Sequence, residues 1–184
     1  MYFDKPGAEN TEAVIRIVLE AAKERGTGHI VAASTTGKSA KELLEAAGDR
    51  DLKIVAVSHN VGFSEEGKSE FDRGIREELE AAGHSVLTAT MATRNINKAI
   101  STKFGGYSQT EIVNATLRMF CQGMKVCPEI AAMAADAGLI PFDDVIAAAG
   151  TGRGWDTAVV VRANSSNRFF DIKIREVLCK PRSF

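Results

Sequence analysis

The sequence predicts an α/β fold: a three-layer α/β/α arrangement around a mostly parallel sheet. Three observations carry this reading. Helical and strand-like segments alternate along most of the 184 residues. The strand-like runs are short and nearly all apolar at their centres, as parallel strands covered on both faces should be. Hydrophobic residues make up 45% of the chain, enough for one proper core, so residues 1–184 are read as a single domain.

The elements follow in order. Thr11 to Arg25 is an amphipathic helix with Val14, Ile15, Val18, Leu19 and Ala22 on one face and Gly26 at its end. The run HIVAA, His29 to Ala33, is a short buried strand. A helix from Lys38 buries Ala40, Leu43, Leu44 and Ala47 and stops near Gly48. Leu52 to Ser58 is the second strand, and a polar loop from His59 to Lys68 leads to a helix bearing Phe71, Ile75, Leu79 and Ala82, closed by Gly83. Ser85 to Thr90 is the third strand. Met91 to Gly106 is less regular, with a short helix expected around Ile96 to Ile100. Ser108 and Glu111 form a capping-box pattern ahead of an apolar face of Ile112, Val113, Thr116, Met119 and Phe120. Pro128 is expected at the first position of the next helix, which ends near Gly138. Val145 to Ala149, Thr157 to Arg162 and Phe170 to Cys179 complete six strands, whose order in the sheet is not readable from sequence.

Charge and composition exclude several classes. The net charge is −1, from 23 basic and 24 acidic residues well mixed, which leaves no footprint for nucleic acid or an anionic membrane. The start MYFDKPGAEN has neither a basic n-region nor an apolar h-region, so no secretory signal is expected. No run approaches the roughly 18 apolar residues that span a bilayer. Cys121, Cys127 and Cys179 are odd in number and lack C-x-x-C spacing, which points to reduced thiols and a cytoplasmic protein. Three histidines and three cysteines without ligand spacing predict no metal site.

The most informative stretch is VAASTTGKSA, Val31 to Ala40. An apolar strand empties into Ser34, Thr35, Thr36, Gly37, Lys38 and Ser39 and then into a helix. N–H groups of a first helical turn and the helix dipole favour an anion there, so a phosphorylated ligand is expected. It is not a P-loop: G-x-x-x-x-G-K-S/T would need glycine where Ala32 stands, and no strand ends in a Walker-B aspartate. In open α/β sheets ligands bind beyond the carboxyl ends of strands. That rule adds His59, Thr88 to Arg94, and the loop Gly150-Thr151-Gly152-Arg153-Gly154-Trp155-Asp156. The last combines glycines that let backbone approach a ligand, an arginine that can fork onto phosphate and a tryptophan that can stack.

Each feature has a plainer alternative. The hydroxyls could be ordinary helix caps, Lys38 a solvated side chain and the glycine loop a tight turn between strands. His59 is a lone histidine, weak grounds for a general base, while His29 and His84 begin strands and read as structural. Cys127 just ahead of the expected Pro128 helix would have a lowered pKa if exposed, but burial is the commoner fate of such a thiol. The Ile112 to Phe120 helix, with Cys121 and Met124, carries enough apolar surface for core or for a homo-oligomer interface.

The strand–STTGKS–helix segment, and VIAAAG running through TGRGWDTAVVV, resemble the C-terminal regulatory domain of pyruvate kinase. The whole chain resembles the stand-alone pyruvate kinase alpha/beta domain-like family of archaea and bacteria. That likeness runs through YFDKPGAENT, ASTTGKSA, GMKVCPEIAAMAADAG and GRGWDTAVVVRA to FFDIKI and CKPR. It implies a pyruvate kinase C-terminal domain-like fold. It also implies Ser34, Thr35, Thr36, Gly37 and Ser39 as a phosphate cradle and Thr151 to Asp156, with Gly152, Arg153 and Gly154, as a covering loop. The stand-alone family is associated with flavin mononucleotide (FMN), which implies a flavin phosphate in this turn and a ring directed toward His59 and Arg153. Whether the chain is an enzyme, such as a flavin-dependent oxidoreductase, stays open. The alternative is a non-catalytic sensor of a sugar phosphate or other phosphorylated metabolite. No pyruvate kinase activity is expected, because that chemistry belongs to a separate barrel domain.

Overall fold

In the computed structural model, which describes residues 1–184, the chain opens with a two-residue strand, β1 (Tyr2–Phe3), absent from the sequence reading. Helix α1 (Thr11–Arg25) ends on Gly26 in the left-handed region, φ 61°. There follow β2 (His29–Ala33), α2 (Lys38–Ala47), β3 (Lys53–Ser58), α3 (Arg73–Ala81), β4 (Ser85–Thr88), α4 (Asn95–Phe104), α5 (Gln109–Arg118), α6 (Gln122–Asp136), β5 (Asp144–Ala149), β6 (Thr157–Arg162) and β7 (Lys173–Pro181).

The seven strands form one sheet in the order β1-β7-β6-β5-β2-β3-β4. β4, β3, β2 and β5 run parallel, and β1 is parallel to β7. The pairs β5–β6 and β6–β7 are antiparallel. This departs from strand–helix alternation for a simple reason. Only residues 150–156 join β5 to β6, and a parallel crossover needs about a dozen residues or more. At the other end, Phe170 lies in a 3-10 turn (Ser166–Asp171), so the last strand starts later than its apolar pattern suggests.

Alternation along the central strands divides the core. Ile30, Ala32, Ile54, Ile146 and Ala148 point toward α1 and α2, joined by fully buried Trp155. Val31, Val55, Val57, Val145, Ala147 and Ala149 point toward α6. Phe71 and Leu79 attach α3 to the α1–α2 side, and α5 packs on α6. Helices thus cover both faces of the sheet.

One helix differs from expectation in where it starts. Helix α6 begins at Gln122, a turn and a half before Pro128, which stands inside it. A proline there forgoes its own N–H bond and crowds the carbonyl of Met124, a cost offset by burial of nearly every residue around it. Helix α4 buries nothing: Ile96, Ile100 and Phe104, spaced four apart, all face outward. On α5 the capping box of Ser108 and Glu111 forms as read, yet Ile112, and Met119 and Phe120 just past its end, are exposed.

The three cysteines are unpaired and buried. Cys127 sits within α6, not before a helix start, and burial pushes its thiol well above the ordinary range. Burial raises Cys179 to about 11. Its folded value lies above the unfolded one, so this stabilisation is whole below pH 9.0 and is lost as pH rises through about 11. Two units correspond to about 2–3 kcal/mol. Urea midpoints measured between pH 9 and 11 should therefore fall less steeply in Cys179→Ala than in the parent chain.

Candidate functional site

Because β2, β3, β4 and β5 are parallel, their carboxyl ends share one edge. The chain leaves β2 toward β3 and β4 and returns on its other side at β5, so the β2–β5 seam is the switch point of the sheet. Both sequence-read loops leave the sheet there.

The Ser34–Ser39 turn is held from below. Ser34 N–H donates to Val57 O at 2.9 Å, Ser58 Oγ donates to Thr35 O at 3.3 Å, and Asp72 N–H donates to Thr36 O at 3.1 Å. Gly37, at φ 94°, caps α2 with no side-chain bond; a Cβ there would meet Ile75 Cγ2 at 2.9 Å and the Phe71 ring at 3.0 Å. Ser34 and Ser39 are buried, Thr35 and Thr36 half-buried, and Lys38 is exposed with Glu42 at 3.9 Å. The first N–H groups of α2 therefore lack a side-chain cap.

The loop 150–156 has two halves. Its back half is structural. Trp155 does not stack on a ligand: it is fully buried, and its Nε1–H donates to Ala33 O at 2.6 Å. Asp156 is fully buried too, accepting from Gly7 N–H at 3.1 Å, Thr151 N–H at 3.0 Å and Thr157 Oγ1–H at 2.7 Å. Asp156 and Thr151 thus brace the loop from behind. The glycines also answer to packing. A Cβ on Gly154 would strike Thr11 Oγ1 at 2.5 Å, and one on Gly150 would strike Gly154 O at 2.5 Å. The front half faces the opposite turn across a cleft.

That cleft, of about 390 Å³, brings together Ser34, Thr35, Thr36, Lys38, Ser39, His59, Gly152, Arg153 and Gly154. Gly37, Thr151 and Asp156 stand behind its walls. Thr11, Glu42 and Gln122 complete its polar lining. Gln122 opens α6, whose N-cap Cys121 makes no side-chain capping bond. Helices α2 and α6 thus both start at one cleft without side-chain caps, as does α1, whose Thr11 lines it too. Helix α4 is likewise uncapped, whereas α3 and α5 are capped by Asp72 and Ser108. His59 Nδ1 lies 3.0 Å from Glu70 Oε2, and its ring stacks on Phe63 at 3.9 Å between centroids.

A second compartment of about 190 Å³ opens behind Ser34, Thr35, His59 and Gln122. Phe63, Met91, Ile130 and Met133 form its apolar walls, and Arg94, Arg118, Lys125 and Glu129 its charged ones. The Arg94 guanidinium lies over the Phe63 ring at 4.8 Å. Lys125 and Glu129 are each 3% exposed and paired along α6. Glu129 Oε1 also accepts from Thr93 N–H at 2.8 Å, and Asn114 Nδ2–H donates to Thr93 O at 3.0 Å. Burial pushes the Lys125 ammonium below the ordinary lysine range, opposed by Glu129. Sequence reading placed His59 and Thr88 to Arg94 at this edge, and His59, Met91 and Arg94 line the compartment, but its other walls were missed. One signal was present: an i, i+4 Lys–Glu pair inside an otherwise apolar helix, hidden because Pro128 was taken as the helix start.

The class so defined is an open α/β domain with its cleft at the switch point of the sheet. The chain belongs to the family of the pyruvate kinase alpha/beta domain, whose profile matches residues 12–161. Among solved structures it is similar to a pyruvate kinase from Cryptosporidium parvum, with 19% identity, 87% of this chain and 24% of that one covered, and a TM-score of 0.45. It is also similar to Cryptosporidium parvum pyruvate kinase in complex with ADP, with 20% identity, 88% and 25% covered, and a TM-score of 0.45. The chain spans about a quarter of the length of those proteins. No helix is long and apolar enough to cross a membrane.

The buried pair gives a stability test. Glu129→Gln leaves Lys125 without its counter-charge and should cost about 3–5 kcal/mol in urea unfolding. Adding Lys125→Met should recover a large part of that loss.

Proposed function

We propose that the chain binds a phosphorylated ligand, FMN being the one the family resemblance implies, with its phosphate on the Ser34–Ser39 turn. The observation that carries this reading is the meeting of two helix starts without side-chain caps, α2 and α6, at a cleft that also holds Lys38 and Arg153. Helix N-termini favour anions, and an arginine fork suits phosphate oxygens. The donor set fits a phosphate monoester: hydroxyls of Ser34, Thr35, Thr36 and Ser39, backbone N–H groups, and two cations within reach of one cavity. When bound, a flavin would supply hydride or electron transfer, while this chain binds and orients it. His59, held by Glu70, stands where it could exchange a proton with a bound molecule.

Two further parts belong to the proposal. Buried free thiols suit a reducing cytoplasm. Exposed Ile112 on α5 and Met119 and Phe120 just after it suit self-association. Sedimentation should then give a mass at least about twice that of one chain.

Visible spectra and FMN titration of the purified protein test the ligand. Saturable binding is expected, with inorganic phosphate competing. Colourless protein that takes up no flavin but is stabilised by sugar phosphates in thermal-shift assays would select the sensor alternative. Thr36→Asp, which sets a carboxylate against the phosphate, should weaken FMN by about a thousandfold, since like charges about 4 Å apart at an effective dielectric of about 20 repel by about 4 kcal/mol.

A further inference from the structure

Resting on the FMN reading, we infer that the ring system of the ligand occupies the second compartment, among Phe63, Met91, Ile130 and Met133. Three observations converge. The two compartments share Ser34, Thr35, His59 and Gln122, so a molecule whose phosphate sits on the turn has a continuous path inward. The first compartment, about 390 Å³, is of ordinary ligand-site size, about 300–1,000 Å³, and the second adds about 190 Å³ that opens into it. The wall chemistry also changes between them. The first compartment is lined mainly by hydroxyls, backbone and charged side chains, the second by an aromatic ring, two methionines and an isoleucine together with Arg94, Arg118, Lys125 and Glu129.

A sugar phosphate has no apolar face to set against Phe63, Met91, Ile130 and Met133. A flat heteroaromatic ring does, and thioethers pack well on such rings. An isoalloxazine also carries carbonyl and ring-nitrogen acceptors along one edge. Lys125 has three donors, of which Glu129 takes one, and it lines this compartment while nearly fully buried. A desolvated ammonium beside an apolar slot is costly to hold without further partners, and ring acceptors would supply them. The flavin edge rich in acceptors therefore faces Lys125, and the ring turns inward past His59 rather than lying outward under Arg153.

Methyl-labelled methionine spectra of the full chain, recorded with saturating FMN and separately with inorganic phosphate, test this. FMN should shift the Met91 and Met133 methyl signals through the ring current, phosphate should leave them in place, and exposed Met119 should serve as the control. Met133→Trp, which fills the compartment, should weaken FMN by about tenfold or more while phosphate binding stays within about twofold. If FMN saturates the protein while Met91 and Met133 do not move, the ring lies elsewhere and the inference falls, with the binding reading intact. If FMN does not bind the parent protein at all, both fall together.

Discussion

The carboxylate of Asp156 is the constraint on which the cleft depends. A fully buried charge is tolerable only when hydrogen bonds replace its water, and here three do so. Each bond recruits a different piece: Gly7 from the chain start, Thr151 from the loop, Thr157 from the first position of β6. Thr157 in turn touches Cys121 Sγ at 3.3 Å and sits where any side chain on Gly123 would intrude, so the start of α6 takes its place from the same point. Beside it, Trp155 N–H donates to Thr11 Oγ1 at 2.9 Å and the indole to Ala33 O, tying α1 and the end of β2 into the arrangement. Both walls of the cleft and the helix start that faces it therefore hang on one short, buried segment. Arg153 and Gly152 stay at the surface because their neighbours carry the load.

What could be read from sequence was what is local. The boundaries of α1 and α2, the strand–turn–helix at Ser34–Ser39 and the Ser108–Glu111 box depend on residues within a few positions of each other. What could not be read depends on distant partners. Trp155 looks like a stacking platform until its indole meets Ala33. Asp156 looks like a loop carboxylate until Gly7 arrives from the other end of the chain. The second compartment draws Phe63, Met91 and Lys125 from three separate stretches, and no spacing rule connects them. The antiparallel half of the sheet was legible in principle, since seven residues cannot carry a parallel crossover. Strand–helix alternation elsewhere obscured it.

The charged pair in α6 sits in the core and lines the second compartment at once. Lys125 and Glu129 interrupt a helix that otherwise fills one side of the core. A hydrophobic pair of similar volume would serve packing as well or better. In a helix this apolar, the pair stands where it faces the second compartment. The same helix presents its start to one compartment and this pair to the next, so a single rigid element lines both.

The seam between β2 and β5 carries one last implication, for how the molecule is made. Ile30 pairs with Ile146, so the centre of the sheet joins segments from opposite ends of the sequence. During synthesis, β2, β3 and β4 emerge with their helices while one edge of β2 waits for a neighbour that the ribosome has not yet produced. Contacts this remote in sequence close slowly. The cleft lies on that late seam, so it forms only once nearly the whole chain is available. Until then the open edge of β2 is where a nascent chain is most exposed to mispairing.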